Sequence, residues 1–217
     1  MEAKRRFAVV LAGCGVYDGA EIHEAVMTLY AIDRLGHTYQ VFAPDVMQHH
    51  VVNHLTGEPM NEQRNVLVEA ARIARGRIRP LREFAPENYD ILVFPGGFGV
   101  AKNLCNFAFK GADCAVHPEV EQAIARMHKV GKPIGALCIA PVLLAKILGK
   151  VILTIGQDSG TASAVESMGA THEPTNHREV VIDRKNKVVT SPCYMLDASI
   201  TDIAEGASLT IQALLDL

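Results

Sequence analysis

Two apolar rhythms alternate along this chain. Phe7-Ala-Val-Val-Leu-Ala12 is an unbroken apolar run, the pattern of a strand buried on both faces of a parallel sheet. From about Ala20 apolar residues recur every three to four positions, which predicts a helix to Leu35 that stops at Gly36, a good left-handed C-terminal cap. The same reasoning predicts strands at Tyr39-Gln-Val-Phe-Ala43, Asp90-Ile-Leu-Val-Phe94, Ile134-Gly-Ala-Leu137 and Val151-Ile-Leu-Thr154. Helices are expected from Asn61 to Ala74, Pro118 to Val130, Pro141 to Leu148 and Ala198 to Leu215. Glu179-Val-Val-Ile182 and Lys187-Val-Val-Thr190 flank a polar turn and read as a hairpin, while residues 45–60 have no clear period. Strands alternating with helices imply right-handed crossovers and a mostly parallel, doubly wound α/β sheet with a small C-terminal hairpin.

Composition narrows the picture. A chain of 217 residues with 49% hydrophobic content suits one domain spanning 1–217. The formal charge of −3 gives no electrostatic case for a nucleic-acid or membrane partner. Its five cysteines (14, 105, 114, 138, 193) are irregularly spaced without a C-x-x-C pair, which argues against a disulfide framework or zinc module and for a reducing compartment. The start, Met-Glu-Ala-Lys-Arg-Arg-Phe, has neither a signal-peptide core nor a long apolar span, so a cytoplasmic location is expected, or an organellar one for a processed chain.

The strongest chemical signal is Ile134-Gly-Ala-Leu-Cys138-Ile-Ala-Pro141. A strand ends at Cys138 and a helix opens at Pro141, a residue suited to a first helical turn. Ala136 and Ala140, two residues either side of Cys138, leave room for a sharp strand-to-helix elbow. A sulfur placed at a helix N-terminus is expected to favour thiolate. The competing reading is a small apolar cysteine buried under the helix. Pro95-Gly96-Gly97-Phe98-Gly99 follows another strand, and its glycines suit an oxyanion hole whose donors would be the N–H groups of Gly97 and Ile139. The alternative is an ordinary tight turn. Glu24 is the one charge on a helix stripe with Met27, Thr28, Ala31 and Leu35, so burial would raise its pKa and suit it to acid–base work. Alternatively, Glu21 and Glu24 only complement the helix N-terminus.

Other features carry less. Gly13-Cys-Gly-Val-Tyr-Asp-Gly19 misses the dinucleotide fingerprint by one residue, so no nucleotide cofactor is expected. His49, His50 and His54 with Asp45 lack metal-ligand spacing, so no metal is expected. Cys14 reads as a strand-end core residue, with a resolving role as the alternative, and Cys105, Cys114 and Cys193 read as structural. His23 adjoins Glu24 but faces about 100° away around the helix. Arg72, Arg75, Arg77, Arg79 and Arg82 read as a solvated face or subunit contact.

Gly19-Ala-Glu-Ile-His-Glu24, Phe94-Pro-Gly-Gly97 and Gly135-Ala-Leu-Cys138 together resemble the PfpI / class I glutamine amidotransferase-like superfamily in order and spacing. The longer strings Gly13–Gly19, Phe42-Ala-Pro-Asp45, Asn53-His-Leu-Thr-Gly57, Ala101-Lys-Asn-Leu104 and Cys138-Ile-Ala-Pro141 resemble its ElbB branch, associated with isoprenoid biosynthesis. The resemblance covers nearly the whole chain. It implies a flavodoxin-like sandwich, a homodimer, and Cys138 as nucleophile with Glu24 as its partner. Many members carry His directly after the cysteine, where this chain has Ile139; others place one after the next strand, where it has Thr154-Ile-Gly-Gln157. His172-Glu173-Pro174 only imitates the His-x-Glu pair of glutamine amidotransferases. Without a histidine, amidase chemistry loses its base, whereas addition of a thiolate to a small aldehyde needs less. The resemblance therefore implies a glyoxalase-like lyase acting on methylglyoxal or glyoxal without glutathione. A redox or stress sensor with an oxidisable cysteine, or a protein deglycase, are the alternatives.

Overall fold

The computed structural model describes residues 3–217. In chain order the elements are β1 (Arg6–Val10), α1 (Ile22–Arg34), β2 (Thr38–Ala43), α2 (Val66–Ile73), β3 (Ile78–Pro80), β4 (Ile91–Phe94) and α3 (Phe107–Lys110). There follow α4 (Pro118–Lys129), β5 (Ile134–Leu137), α5 (Pro141–Leu148), β6 (Ile152–Leu153), α6 (Ser159–Ser167), β7 (Thr171–His172), β8 (Val181–Asp183), β9 (Val188–Ser191) and α7 (Ile200–Leu215). Seven strands form one sheet in the order β3-β2-β1-β4-β5-β9-β8, parallel throughout except for the β8–β9 hairpin at one edge. This is the flavodoxin-like α/β architecture.

The unbroken apolar run at β1 is explained by its two packed faces. Phe7, Val9 and Leu11 point into a core shared with Ile32 of α1, Ala70 of α2 and Ile211 and Leu214 of α7. Ala8, Val10 and Ala12 point the other way, into a core with Ile124 and Met127 of α4 and Leu143 of α5. Successive strand residues face opposite sides, so a strand covered twice has no place for polar residues. On the second face Phe42 meets Phe84 and Tyr89 edge-on, with ring centroids 5.7 and 5.4 Å apart.

Several predicted elements shift. The helix expected from Asn61 begins at Val66, because Asn65 caps it by accepting the Val68 N–H at 3.1 Å. The residues before it run beside 46–48 instead, with Gln48 N–H donating to Arg64 O and Val66 N–H to Val46 O. Inside the arginine run lies the short edge strand β3, and three of its arginines pair locally: Arg72 with Glu69, Arg79 with Glu83, Arg82 with Asp45. The strand read at 151–154 does not join the main sheet; β6 pairs with β7 in a separate two-stranded ribbon.

Aperiodic residues 45–60 fold over the Gly13–Gly19 loop. Asp18 Oδ2 accepts the Val52 N–H at 2.8 Å, and His54 Nε2 accepts the Tyr17 N–H at 3.2 Å. β1 lies between β2 and β4, so the chain steps outward in opposite directions from that point. In open sheets of this kind the crevice at the carboxyl ends of the strands around such a switch is the place for a ligand. The loops leaving β1, β4, β5 and β9 all reach it.

Candidate active site

Cys138 lies one residue past β5, where its N–H still donates to Ser191 O of β9 at 2.9 Å. Its φ then turns to +59°, a left-handed conformation unusual for a residue with a side chain. The reversal aims the sulfur off the sheet end while the chain proceeds into α5. Ala136 and Ala140 are both buried without a gap, as the elbow requires.

Glu24 comes to the same point from the first turn of α1. Glu21 caps that helix, its Oε2 accepting the Glu24 N–H at 2.7 Å. Glu24 itself is not the cap. It is 0% exposed, with Oε2 accepting the Gly96 N–H at 2.9 Å and Oε1 the Tyr194 N–H at 3.1 Å. Its carboxyl also lies beside the Cys138 thiol, the two flanking the same face of Gly96. Gly96 makes this approach possible: a Cβ there would run into Cys138 Cβ and come within 2.6 Å of Glu24 Oε2. Gly97, at φ +101°, turns its N–H toward the sulfur, and the Ile139 N–H converges on it from the other side.

Burial dominates the electrostatics. Removal from water raises the Glu24 pKa from 4.5 to about 7 against the lowering pull of the Tyr194 and Gly96 N–H groups. Burial and the adjacent Glu24 charge push the Cys138 thiol well above 9.0, and the N–H groups of Gly97 and Ile139 only partly offset this. The expectation that a helix N-terminus alone favours thiolate is therefore corrected. The Glu24–Cys138 pair titrates as a unit, and the first proton leaves near 7.

A cavity of about 380 Å³ opens onto the sulfur. Val16, Phe98, Ala101, Phe107, Ile139 and Met195 make most of its wall apolar, while Glu21, Tyr194, Asp158 and Thr161 add polar atoms. Cys138 is 7% exposed through this opening. Of the residues singled out by sequence, the structure brings together Cys138, Glu24, Gly97 and Ile139. Cys14 does not line the cavity; burial, and then the charge of Glu69, raise its thiol pKa. His49 and His50 stack with Phe109 instead, and among the described residues no group of three or more His, Cys, Asp or Glu side chains is placed to hold a metal ion.

Sequence reasoning missed Tyr194 and Cys193. Tyr194 lines the cavity, anchors Glu24 through its N–H, and places its hydroxyl 2.8 Å from His23 Nδ1. His23 thus reaches the site's edge through Tyr194 although it faces away from Glu24. Cys193 is buried close enough for its charge to disfavour a Cys138 thiolate. The available signal was position: Ser191-Pro-Cys-Tyr194 directly follows a strand.

Known proteins resemble this chain at several levels of likeness. The human "glutamine amidotransferase-like class 1 domain-containing protein 3, mitochondrial" is 47% identical over 98% of this chain and 83% of its own length. The crystal structure of an isoprenoid biosynthesis protein with an amidotransferase-like domain from Ehrlichia chaffeensis superposes with a TM-score of 0.93 at 37% identity, over 98% of both chains. Glyoxalase III of Candida albicans shares the fold alone, with a TM-score of 0.61 at 15% identity over 96% of this chain and 97% of that one. The DJ-1/PfpI family model matches residues 10–197, and the chain belongs to the DJ-1/PfpI family.

Proposed function

We propose that the protein is a glutathione-independent glyoxalase-type lyase that converts a small 2-oxoaldehyde to the 2-hydroxy acid. The observation that carries this reading is the buried contact between the Glu24 carboxyl and the Cys138 thiol, with the Gly97 and Ile139 N–H groups on the same sulfur. Glu24 takes the thiol proton as sulfur adds to the aldehyde carbon and passes it to the aldehyde oxygen, giving a hemithioacetal and an ionised carboxylate again. The carboxylate then removes the hydrogen on that carbon and returns it to the neighbouring ketone carbon while the hydroxyl proton moves to the ketone oxygen, leaving a thioester of the hydroxy acid. Water cleaves the thioester and restores the thiol. Developing negative charge on oxygen beside the sulfur lies within the field of the two N–H groups. Each step is a proton transfer, an addition or a hydrolysis that Cys138 and Glu24 can carry out on the bound substrate and water, so the chemistry calls for no cofactor.

Supporting the same reading, the cavity wall is largely apolar, which disfavours water beside a thioester. Lactate release from methylglyoxal is expected from the wild type and lost, by at least about 100-fold, in Cys138→Ser and Glu24→Gln. Background rates for the wild type would sink the proposal. Ile139, where a histidine is often found, favours a second reading in which Cys138 is oxidised as a sensor and turnover is negligible; in that case peroxide modifies Cys138 while the lactate assay stays at background.

The names of relatives add context. We propose a role in isoprenoid-linked metabolism from the likeness to the Ehrlichia protein, and an organellar location from the likeness to the mitochondrial one. No helix among the described residues is long and apolar enough to cross a membrane. A homodimer fits the exposed apolar stripe Ile22, Val26 and Tyr30 on the outer face of α1.

A further inference from the structure

Under the wall of the cavity, away from Cys138, two further cysteines face each other. Cys105 and Cys114 bound the segment that contains α3, whose Phe107 and Ala108 line the cavity. An antiparallel bridge sets Cys105 opposite Val116, closed by Asn106 N–H to Ala115 O at 3.1 Å and His117 N–H to Leu104 O at 2.8 Å. Cys105 (φ −149°, ψ −178°) and Cys114 (φ −63°, ψ 156°) are both extended. Side chains two residues apart on an extended segment share a face, so Cys114 lies on the Cys105 side of the pairing, diagonal to it. The two thiols are close enough for each to act on the other's ionisation, and the Cys105 thiol donates to Val100 O at 3.3 Å.

We propose that Cys105 and Cys114 are a redox pair that closes to a disulfide when the protein meets a peroxide. Cys114 is the attacking sulfur. The neighbouring Cys105 and the nearby Lys146, which donates to Ala112 O at 3.0 Å, lower its thiol below the ordinary value despite burial. The Cys114 thiolate attacks one oxygen of hydrogen peroxide; the O–O bond breaks, the departing oxygen leaves as water, and the sulfur becomes a sulfenic acid. Cys105 then attacks that sulfur, the S–O bond breaks, and a second water leaves with the Cys105 proton. Two thiols are oxidised and one peroxide is reduced to two waters. With Cys105 5% and Cys114 3% exposed, a bulky disulfide such as glutathione is excluded, which leaves a small peroxide as the oxidant. The bond ties together both ends of the segment bearing Phe107 and Ala108, so it stiffens one wall of the cavity. None of this depends on the chemistry at Cys138.

The test uses the full chain with Cys138→Ser, so that the cavity thiol takes no part. After hydrogen peroxide treatment, unfolding and alkylation, alkylatable thiols are expected to fall from the four remaining to two. Trypsin without reductant cuts after Lys110, so the bond appears as two peptides, one with Cys105 and one with Cys114, joined and two hydrogens lighter than the separate pair. Cys105→Ser is expected to lose this species and leave Cys114 as a sulfenic acid that a cyclic diketone probe captures. Recovery of both cysteines as alkylated thiols after oxidation overturns the proposal, and so does pairing of either with Cys14 or Cys193. If a serine variant fails to fold, the peptide map of the Cys138→Ser chain still decides.

Discussion

Glu24 and Cys138 form one acid with two sites, and that coupling sets the pH behaviour of the thiol. Below about pH 7 both groups hold their protons and the sulfur is a poor nucleophile. As pH passes about 7 one proton leaves the pair, and the form with neutral Glu24 and anionic sulfur becomes accessible. Alkylation of Cys138 by iodoacetamide, followed by peptide mass spectrometry, is therefore expected to accelerate about tenfold per pH unit up to an inflection near 7. In Glu24→Gln the only acid left at that point is the thiol. Loss of the neighbouring charge lowers it, but burial keeps it above its ordinary 9.0, so the inflection moves beyond pH 9. An unchanged inflection in the variant would mean that Glu24 does not govern the thiol. The same carboxyl affects stability. Its pKa is raised on folding, so stability is full below pH 4.5 and falls as pH rises toward 7, by roughly 3 kcal/mol from this group. Urea unfolding should show that decline in the wild type and a flatter profile in Glu24→Gln.

At the scale of elements, the site is a consequence of where strands end. β5 delivers Cys138, β4 delivers Gly96 and Gly97, and the first turn of α1 delivers Glu24 to a common crevice. This much was legible in the sequence, because apolar runs mark buried strands and each candidate group stood just past one or on the buried stripe of a helix. Tyr194 and Cys193 were not legible. They depend on β9 lying parallel beside β5, with Gly135 opposite Val189, a pairing over more than 50 residues that no local pattern encodes; the sequence exposed only the hairpin partner β8. α6 escaped notice for a different reason: Val165 is its single buried residue, so Ser159–Ser167 has almost no apolar period. The elbow itself stores strain, since Cys138 sits at φ +59°. A side chain in this region costs roughly 1–2 kcal/mol that glycine avoids. Cys138→Gly is thus expected to be more stable than Cys138→Ala by about 1 kcal/mol in chemical denaturation, the reverse of their order in an ordinary strand or helix. Equal stabilities would show that the turn holds no strain.

For the whole molecule, the open question is what covers α1. Its inner face packs on the sheet and against α7, yet Ile22, Val26 and Tyr30 are 42%, 42% and 53% exposed at spacings of four residues, which puts them on one outward stripe. Scattered apolar residues on a surface are normal, but an aligned row on a helix marks a place where another surface fits. A second copy of this chain is the occupant we expect, with the two α1 helices related by a two-fold axis so that each stripe meets its counterpart. The stripe begins at Ile22, one residue beyond the Glu21 that caps α1 and lines the cavity, and His23 beside it holds the Tyr194 hydroxyl. Association there would therefore steady the helix that carries Glu24. Light scattering at micromolar concentration should give twice the 23.5 kDa chain mass for the wild type. Val26→Glu puts two like charges at the centre of a symmetric contact, each costing more than the apolar area it replaces gained. That variant is expected to run as a monomer with its circular dichroism unchanged, and with Cys138 alkylation altered because α1 has lost its support. A wild type of single-chain mass, or a Val26→Glu variant that stays dimeric, would place the interface elsewhere and leave the apolar row on α1 without a partner.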